Sequence, residues 1–248
     1  MDTPYDTIGL DYARLRRPDP RIAARIATAL KDAQSVLNVG AGAGSYEPRG
    51  RAVTAVEPSA AMNAQRPAHR PATVVQASAE ALPFADDAFD AAMAVLTVHH
   101  WDDPRRGLME MVRVSRGPVV VLTHDPAFRD VWLLDYLPAL RDLDQGIMPG
   151  LDELTAWLPG ARIEPVAVPH DCRDGFLYAY WRRPAAYLDA RVRAAMSPFH
   201  ALGDGARDGL DRLERDLADG TFSRRYRDVL QRDSLDVGYR LLVRQAGG

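Results

Sequence analysis

Three short stretches of this chain hold residues whose types and spacing suit chemistry. The first is Val36-Leu37-Asn38-Val39 running into Gly40-Ala41-Gly42-Ala43-Gly44-Ser45, an apolar run followed by glycine at every second position. Glycine tolerates positive φ and lets backbone N–H groups approach a bound group closely. The second is Glu57, a carboxylate at the end of the apolar run Ala52-Val53-Thr54-Ala55-Val56. The third is Leu96-Thr97-Val98-His99-His100-Trp101, where two imidazoles that titrate near neutrality could take a proton. The three together suggest a cofactor lying over Gly40, Gly42 and Gly44, with a proton acceptor beside it. Taken alone, the glycine run also reads as a plain loop between two core elements.

The elements that must hold these residues follow from apolar periodicity. Asp19-Pro20 predicts a helix start, with Ile22, Ile26 and Leu30 on one buried stripe. Strands are predicted at 36–39, 52–57, 73–76, 89–95 and 119–122. Ser59 caps a short helix that Pro67 stops, and Asp103-Pro104 starts a longer one. Pro48 and Gly50 leave no more than a turn of helix between the first two strands. Helices are expected at 128–140 and 151–158, an edge strand at 161–168 and a last strand at 238–244. The alternation predicts an α/β, doubly wound, mainly parallel seven-stranded sheet with a helical insertion near the C-terminus. In such sheets ligands bind beyond the carboxyl ends of the strands.

Composition bounds the function. A net charge of −3 argues against a nucleic-acid partner, and the basic residues are nearly all arginine, with Lys31 the single lysine. Cys172 is the one cysteine, which removes a disulfide framework and a thiolate zinc site. No metal site is expected. The N-terminus lacks a basic-then-apolar leader and no apolar run reaches membrane length, so a cytoplasmic, soluble protein without a membrane partner is the expectation.

These stretches, in this order, resemble the class I S-adenosylmethionine-dependent methyltransferases, in particular the small-molecule group that includes the ubiquinone and menaquinone methyltransferases. Val36 to Gly44 is similar to that family's first motif. Glu57 stands where the family has its acidic residue, and Ser78-Ala79-Glu80-Ala81-Leu82-Pro83-Phe84 is similar to its adenine-side loop. Val95 to Asp102 resembles its segment after the fourth strand. The resemblance covers about residues 20 to 125. It implies a Rossmann-like methyltransferase fold and S-adenosyl-L-methionine as cofactor. It would place Gly40, Ala41, Gly42, Gly44, Glu57, Pro58, Ser78, Ala79, Glu80, Leu96 and Tyr12 around that cofactor, with Glu57 accepting both ribose hydroxyls. Ala79 would meet adenine through its N–H, and Leu82 and Phe84 would be apolar walls or ordinary core. His100, and after it His99, would be the candidate base. Three positions depart from the pattern. Asn38 replaces the usual aspartate and Ser78 another, and the crossover after Gly44 is short.

The implied reaction is methyl transfer to an oxygen, nitrogen or carbon atom of a small-molecule acceptor. A nicotinamide oxidoreductase shares the fold logic, but Ser45 stands where its third glycine belongs and no Tyr-x-x-x-Lys pair exists. A non-methylating protein that binds the same cofactor is a third reading. The chain reads as one methyltransferase domain, 1–248. Residues 20–170 form the cofactor-binding core, 171–235 a helical lid, and 236–248 the last strand and tail. The lid is expected to wall the acceptor pocket with Phe176, Tyr178, Tyr180, Trp181, Tyr187 and Phe199, and Arg182 and Arg183 would face an acidic substrate group. The same aromatics would equally suit core packing beneath a dimer face, so the protein is expected to be a monomer or homodimer. Tyr5 and Tyr12 read equally as a cap over the cofactor and as a tail packed on the surface.

Overall fold

Along the central strands, successive side chains enter two different cores, and this alternation builds the molecule. The computed structural model describes residues 15–67 and 72–246. Its strands are β1 (Ser35–Val39), β2 (Ala52–Val56), β3 (Thr73–Val75), β4 (Ala91–Val95), β5 (Val119–His124), β6 (Arg162–Pro165), β7 (Val168–Pro169), β8 (Ser234–Leu235) and β9 (Tyr239–Arg244). Seven of them form one sheet in the order β3-β2-β1-β4-β5-β9-β6, parallel except where β9 runs against β5 and β6. In β5, Val120 and Leu122 join the core on one face, and Val119 and Val121 join the other. The doubly wound sheet predicted from the apolar pattern is therefore present. The strand expected at the edge, β6, is there, and the last strand lies between it and β5.

The helices outside the insertion are α1 (Pro20–Ala29), α2 (Ala60–Ala64), α3 (Pro104–Val114), α4 (Leu133–Tyr136), α5 (Ala139–Ile147) and α6 (Leu151–Trp157). Their caps are the ones their sequences carry. Asp19 accepts from Arg21 N, Ser59 from Met62 N and Asp103 from Arg106 N. No helix stands between β1 and β2. The single helix expected over 128–140 is instead two, because Pro138 cannot continue α4 and opens α5.

The chain from 170 to 233 is held at its base by a ribbon in which Val168 pairs with Leu235 and Pro169 with Ser234. Above it lie α7 (Ala190–Ala194), α8 (Ser197–Leu202), α9 (Arg207–Ala218), α10 (Thr221–Arg225) and α11 (Arg227–Leu230). They share the core face that holds α1, around Trp132, Trp181, Tyr187 and Phe222. Trp132 meets the Phe222 ring edge-on at 4.8 Å and that of Tyr187 at 5.7 Å. Among the described residues no helix is long and apolar enough to cross a membrane, and no group of three or more histidine, cysteine or acidic side chains is placed to hold a metal ion. Tyr5 and Tyr12 lie outside the described residues.

Candidate active site

The turn after β1 is built by its glycines. Gly40, Gly42 and Gly44 all have positive φ, at 67°, 50° and 84°. Gly40 also has no room for a side chain, since a Cβ there would lie 2.1 Å from Thr97 Oγ1 in the segment after β4. Glu57 then fastens the turn. Its Oε2 accepts from Gly42 N at 2.8 Å and its Oε1 from Ser59 N at 2.9 Å.

The Asn38 amide is directed at Glu47, donating to Oε1 at 3.1 Å, and Arg66 donates to both Glu47 oxygens at 2.6 and 2.7 Å. The Glu47 and Arg66 side chains are almost fully buried. Asparagine suits this position because an aspartate would set two carboxylates against each other. The departure from the family pattern thus has a local cause. Glu47 and Arg66 staple the turn without entering the cavity above it, and no sequence signal marked the pair.

That cavity has a volume of about 480 Å³ and runs along the carboxyl edge of the sheet. Gly40, Ala41, Gly42, Glu57, Pro58, Ser78, Ala79, Glu80, Leu96, His99 and His100 all line it. Gly44 does not; its Cβ position faces Glu47 and Arg66. Leu82 and Phe84 do not reach the cavity either. Leu82 is buried in the core beside Phe89, and Phe84 packs edge-on against Phe89 at 4.9 Å, so core packing claims both. Trp101 and Met62 supply apolar surface at that end instead. Leu96 holds φ at 53°, a left-handed conformation that is uncommon for a leucine, and its N–H is tied to Leu122 O at 2.8 Å. This bend turns the chain from β4 into the short 3-10 helix Val98–His100.

Of the insertion aromatics, Phe176 and Tyr178 line the cavity, joined by Leu177, Met196, Ser197 and Pro198. Tyr180, Trp181, Tyr187 and Phe199 do not, and pack into the core that the insertion shares with α1 and one face of the sheet. Arg182 and Arg183 are directed elsewhere, donating to Arg232 O at 3.1 Å and Cys172 O at 2.8 Å. Sequence reasoning did not find His124, Asp144, Met148 and Tyr239, which also line the cavity from three separate segments: β5, α5 with its C-cap, and β9.

A solved structure matches nearly the whole chain. It is a proposed methyltransferase from an antibiotic biosynthesis pathway of Anabaena variabilis, 33% identical, with a TM-score of 0.87, covering 94% of this chain and 99% of that one. The chain belongs to the class I S-adenosylmethionine-dependent methyltransferases. The methyltransferase domain family matches residues 37–121 of it. A demethylmenaquinone methyltransferase of Renibacterium salmoninarum is 35% identical over 44% of this chain and 52% of its own. An uncharacterized methyltransferase of Mycobacterium marinum is 33% identical over 50% of this chain and 56% of its own. The chain spans about half the length, or less, of the curated relatives it matches.

S-adenosylmethionine is therefore the cofactor of this methyltransferase, and its site fits that molecule. The glycine turn, free of side chains at Gly40 and Gly42, the strand-end carboxylate Glu57 and the Ser78–Glu80 loop line one continuous space, with Met62 and Trp101 as apolar wall. When bound, the cofactor supplies an electrophilic methyl group on sulfur.

The imidazoles of the methyltransferase site are held neutral. Burial pushes the His99 ring well below its ordinary pKa, helped by His100, His124 and Arg16. Lost hydration on its cavity side draws His100 down toward about 4, with Arg16 adding to the effect, but the residue stays exposed and solvent screens the shift. Burial brings His124 to about 4 as well, although its bond to Val237 acts in the opposite sense. Between about pH 6.5 and pH 4 the unfolded chain then binds more protons at these rings than the fold does, so stability is lost as pH falls. Asp144, raised to about 6 by burial, works the other way over part of that range. His99 and His124, the two less exposed rings, outweigh one carboxyl, so the thermal midpoint is expected to be lower at pH 5 than at pH 7. Equal midpoints would show that the rings accept protons within the fold.

Proposed function

We propose that this methyltransferase moves the methyl group of S-adenosylmethionine onto an oxygen, nitrogen or carbon atom of a small acceptor with a largely apolar body. One observation carries the reading: a single cavity joins the glycine turn and Glu57 to a wall of Val95, Leu96, Phe176, Leu177 and Met196. The cofactor would lie over the ends of β1 and β2, and the acceptor over β4, β5 and β9. Catalysis is then mainly in-line positioning with water kept out, and His100, with His99 behind it, is the candidate base. Their rings are 3.8 Å apart at the site wall, and each neutral imidazole has a lone pair for the acceptor's proton, although the lowered pKa makes each a weaker base than a free imidazole. Within the domain, 20–170 acts as the cofactor-binding core, 171–235 as the lid, and 236–248 as the last strand and tail.

The test is transfer of labelled methyl from S-adenosylmethionine to a panel of phenols, hydroquinones and amines. Hydroquinones belong on it because relatives of this chain are named as hydroquinone and demethylmenaquinone methyltransferases. With an acceptor in hand, His100→Ala is expected to lower turnover by roughly 10²–10⁴-fold while leaving cofactor binding intact. Full turnover in both His100→Ala and His99→Ala would mean that positioning alone suffices. Tight cofactor binding with no methylated product across the panel would support a non-methylating role.

A further inference from the structure

Resting on the reading of the deeper cavity as the acceptor site, we propose that His124 and Asp144 form its polar anchor. The pair would accept hydrogen bonds from an O–H or N–H donor carried by an otherwise apolar small molecule. His124 ends β5, which is separated from β1 by β4, so it stands about 10 Å, two strand spacings, from the glycine turn's strand. It lines the cavity yet is only 4% exposed, and Asp144, from α5, is 3% exposed.

The imidazole is clamped in one orientation. Nε2 lies 3.1 Å from Val237 O, and a carbonyl can only accept, so Nε2 carries the ring proton. A Cβ on Gly238 would come within 2.5 Å of Nε2, so this bond depends on glycine at that position. The Tyr178 and Tyr239 rings flank the imidazole, with centroids 5.0 and 5.1 Å away. Because burial keeps the ring neutral, Nδ1 is left with its lone pair, and among the described residues it has no hydrogen-bond partner.

Asp144 faces it as a second acceptor. Oδ2 is 3.9 Å from His124 Nδ1 and accepts from Tyr178 Oη at 2.8 Å. Two acceptors at that separation do not satisfy each other, but a donor atom about 2.8–2.9 Å from both can sit between them. The surrounding wall, Phe176, Leu177, Met148 and Met196, offers such a molecule an apolar berth. A hydroxyl would donate to one of the two acceptors and a primary amine to both.

The test uses the full chain labelled with ¹⁵N-histidine at pH 7.5, with and without S-adenosylhomocysteine. The probes are 4-methylphenol, benzylamine and toluene, and His124→Phe assigns the ring signal. The expected result is an unprotonated Nδ1 whose resonance moves with 4-methylphenol or benzylamine and not with toluene. The probe that moves it tells a hydroxyl acceptor from an amine. Asp144→Asn removes the charge, and because Oδ2 both accepts from Tyr178 and faces Nδ1, that position keeps either a weaker neutral oxygen or a nitrogen that no longer accepts, so the variant is expected to weaken the responding probe at least tenfold. A protonated Nδ1 in the free protein, an equal response to toluene, no response to either donor probe, or unchanged affinity in Asp144→Asn would overturn the anchor. Calorimetry with S-adenosylhomocysteine on the same samples reports the cofactor half independently. Its failure alongside a positive probe response would count against methyl transfer and not against the anchor.

Discussion

Replacing Glu57 by alanine is expected to weaken S-adenosylmethionine and its demethylated product by roughly 10²-fold or more. Two charge-assisted hydrogen bonds to the ribose would go at once, and each 1.4 kcal/mol is about tenfold in affinity. The carboxylate also accepts from Gly42 N and Ser59 N, so its loss frees the turn that would cradle the ligand. Glu57→Gln separates the two effects, because its amide oxygen can still accept one of those backbone bonds. Isothermal calorimetry on wild type and both variants is the measurement, with circular dichroism as a check on folding. A dissociation constant unmoved in Glu57→Ala would place the ribose elsewhere in the cavity.

Trp181→Ala is expected to destabilise the insertion by about 3–5 kcal/mol, the usual range for removing a fully buried large aromatic. Trp181 is wholly buried. Its indole donates to Val168 O at 3.0 Å, at the base of the β7–β8 ribbon, and its own carbonyl accepts from Trp132 Nε1 at 2.7 Å. The indole thus ties the insertion to the β7–β8 ribbon, while the bond from Trp132 goes to the backbone and survives the substitution. If 171–235 is a lid, the loss should be local, with hydrogen exchange rising there while β1 to β5 stay protected and S-adenosylhomocysteine still binds. Exchange that rises equally throughout β1 to β5 would show that the insertion is an integral part of the core.

The sequence by itself determined the half of the protein made of contiguous signals. Buried parallel strands read as apolar runs, so β1, β2, β4 and β5 were legible from Val36-Leu37, Val53, Ala91 to Val95 and Val119 to Leu122. The caps at Asp19, Ser59 and Asp103 were legible because a cap is a bond between neighbours in the chain. The glycine turn and Glu57 belonged to the same local grammar, a strand followed at once by its ligand-facing end.

The tertiary structure decided what depends on residues far apart in the chain. Periodicity shows that a side chain is buried but not which partner buries it, so Leu82 and Phe84 went to the core and Trp101 to the cavity. It shows an alternating strand at 239–244 but not that this strand inserts between β5 and β6. That insertion sets Tyr239 opposite His124. Residues 124, 144, 178 and 239 carry no shared motif. They meet because the sheet order and the folding of the insertion bring four segments to one edge, where Tyr178 donates to Asp144 and the Tyr178 and Tyr239 rings flank His124.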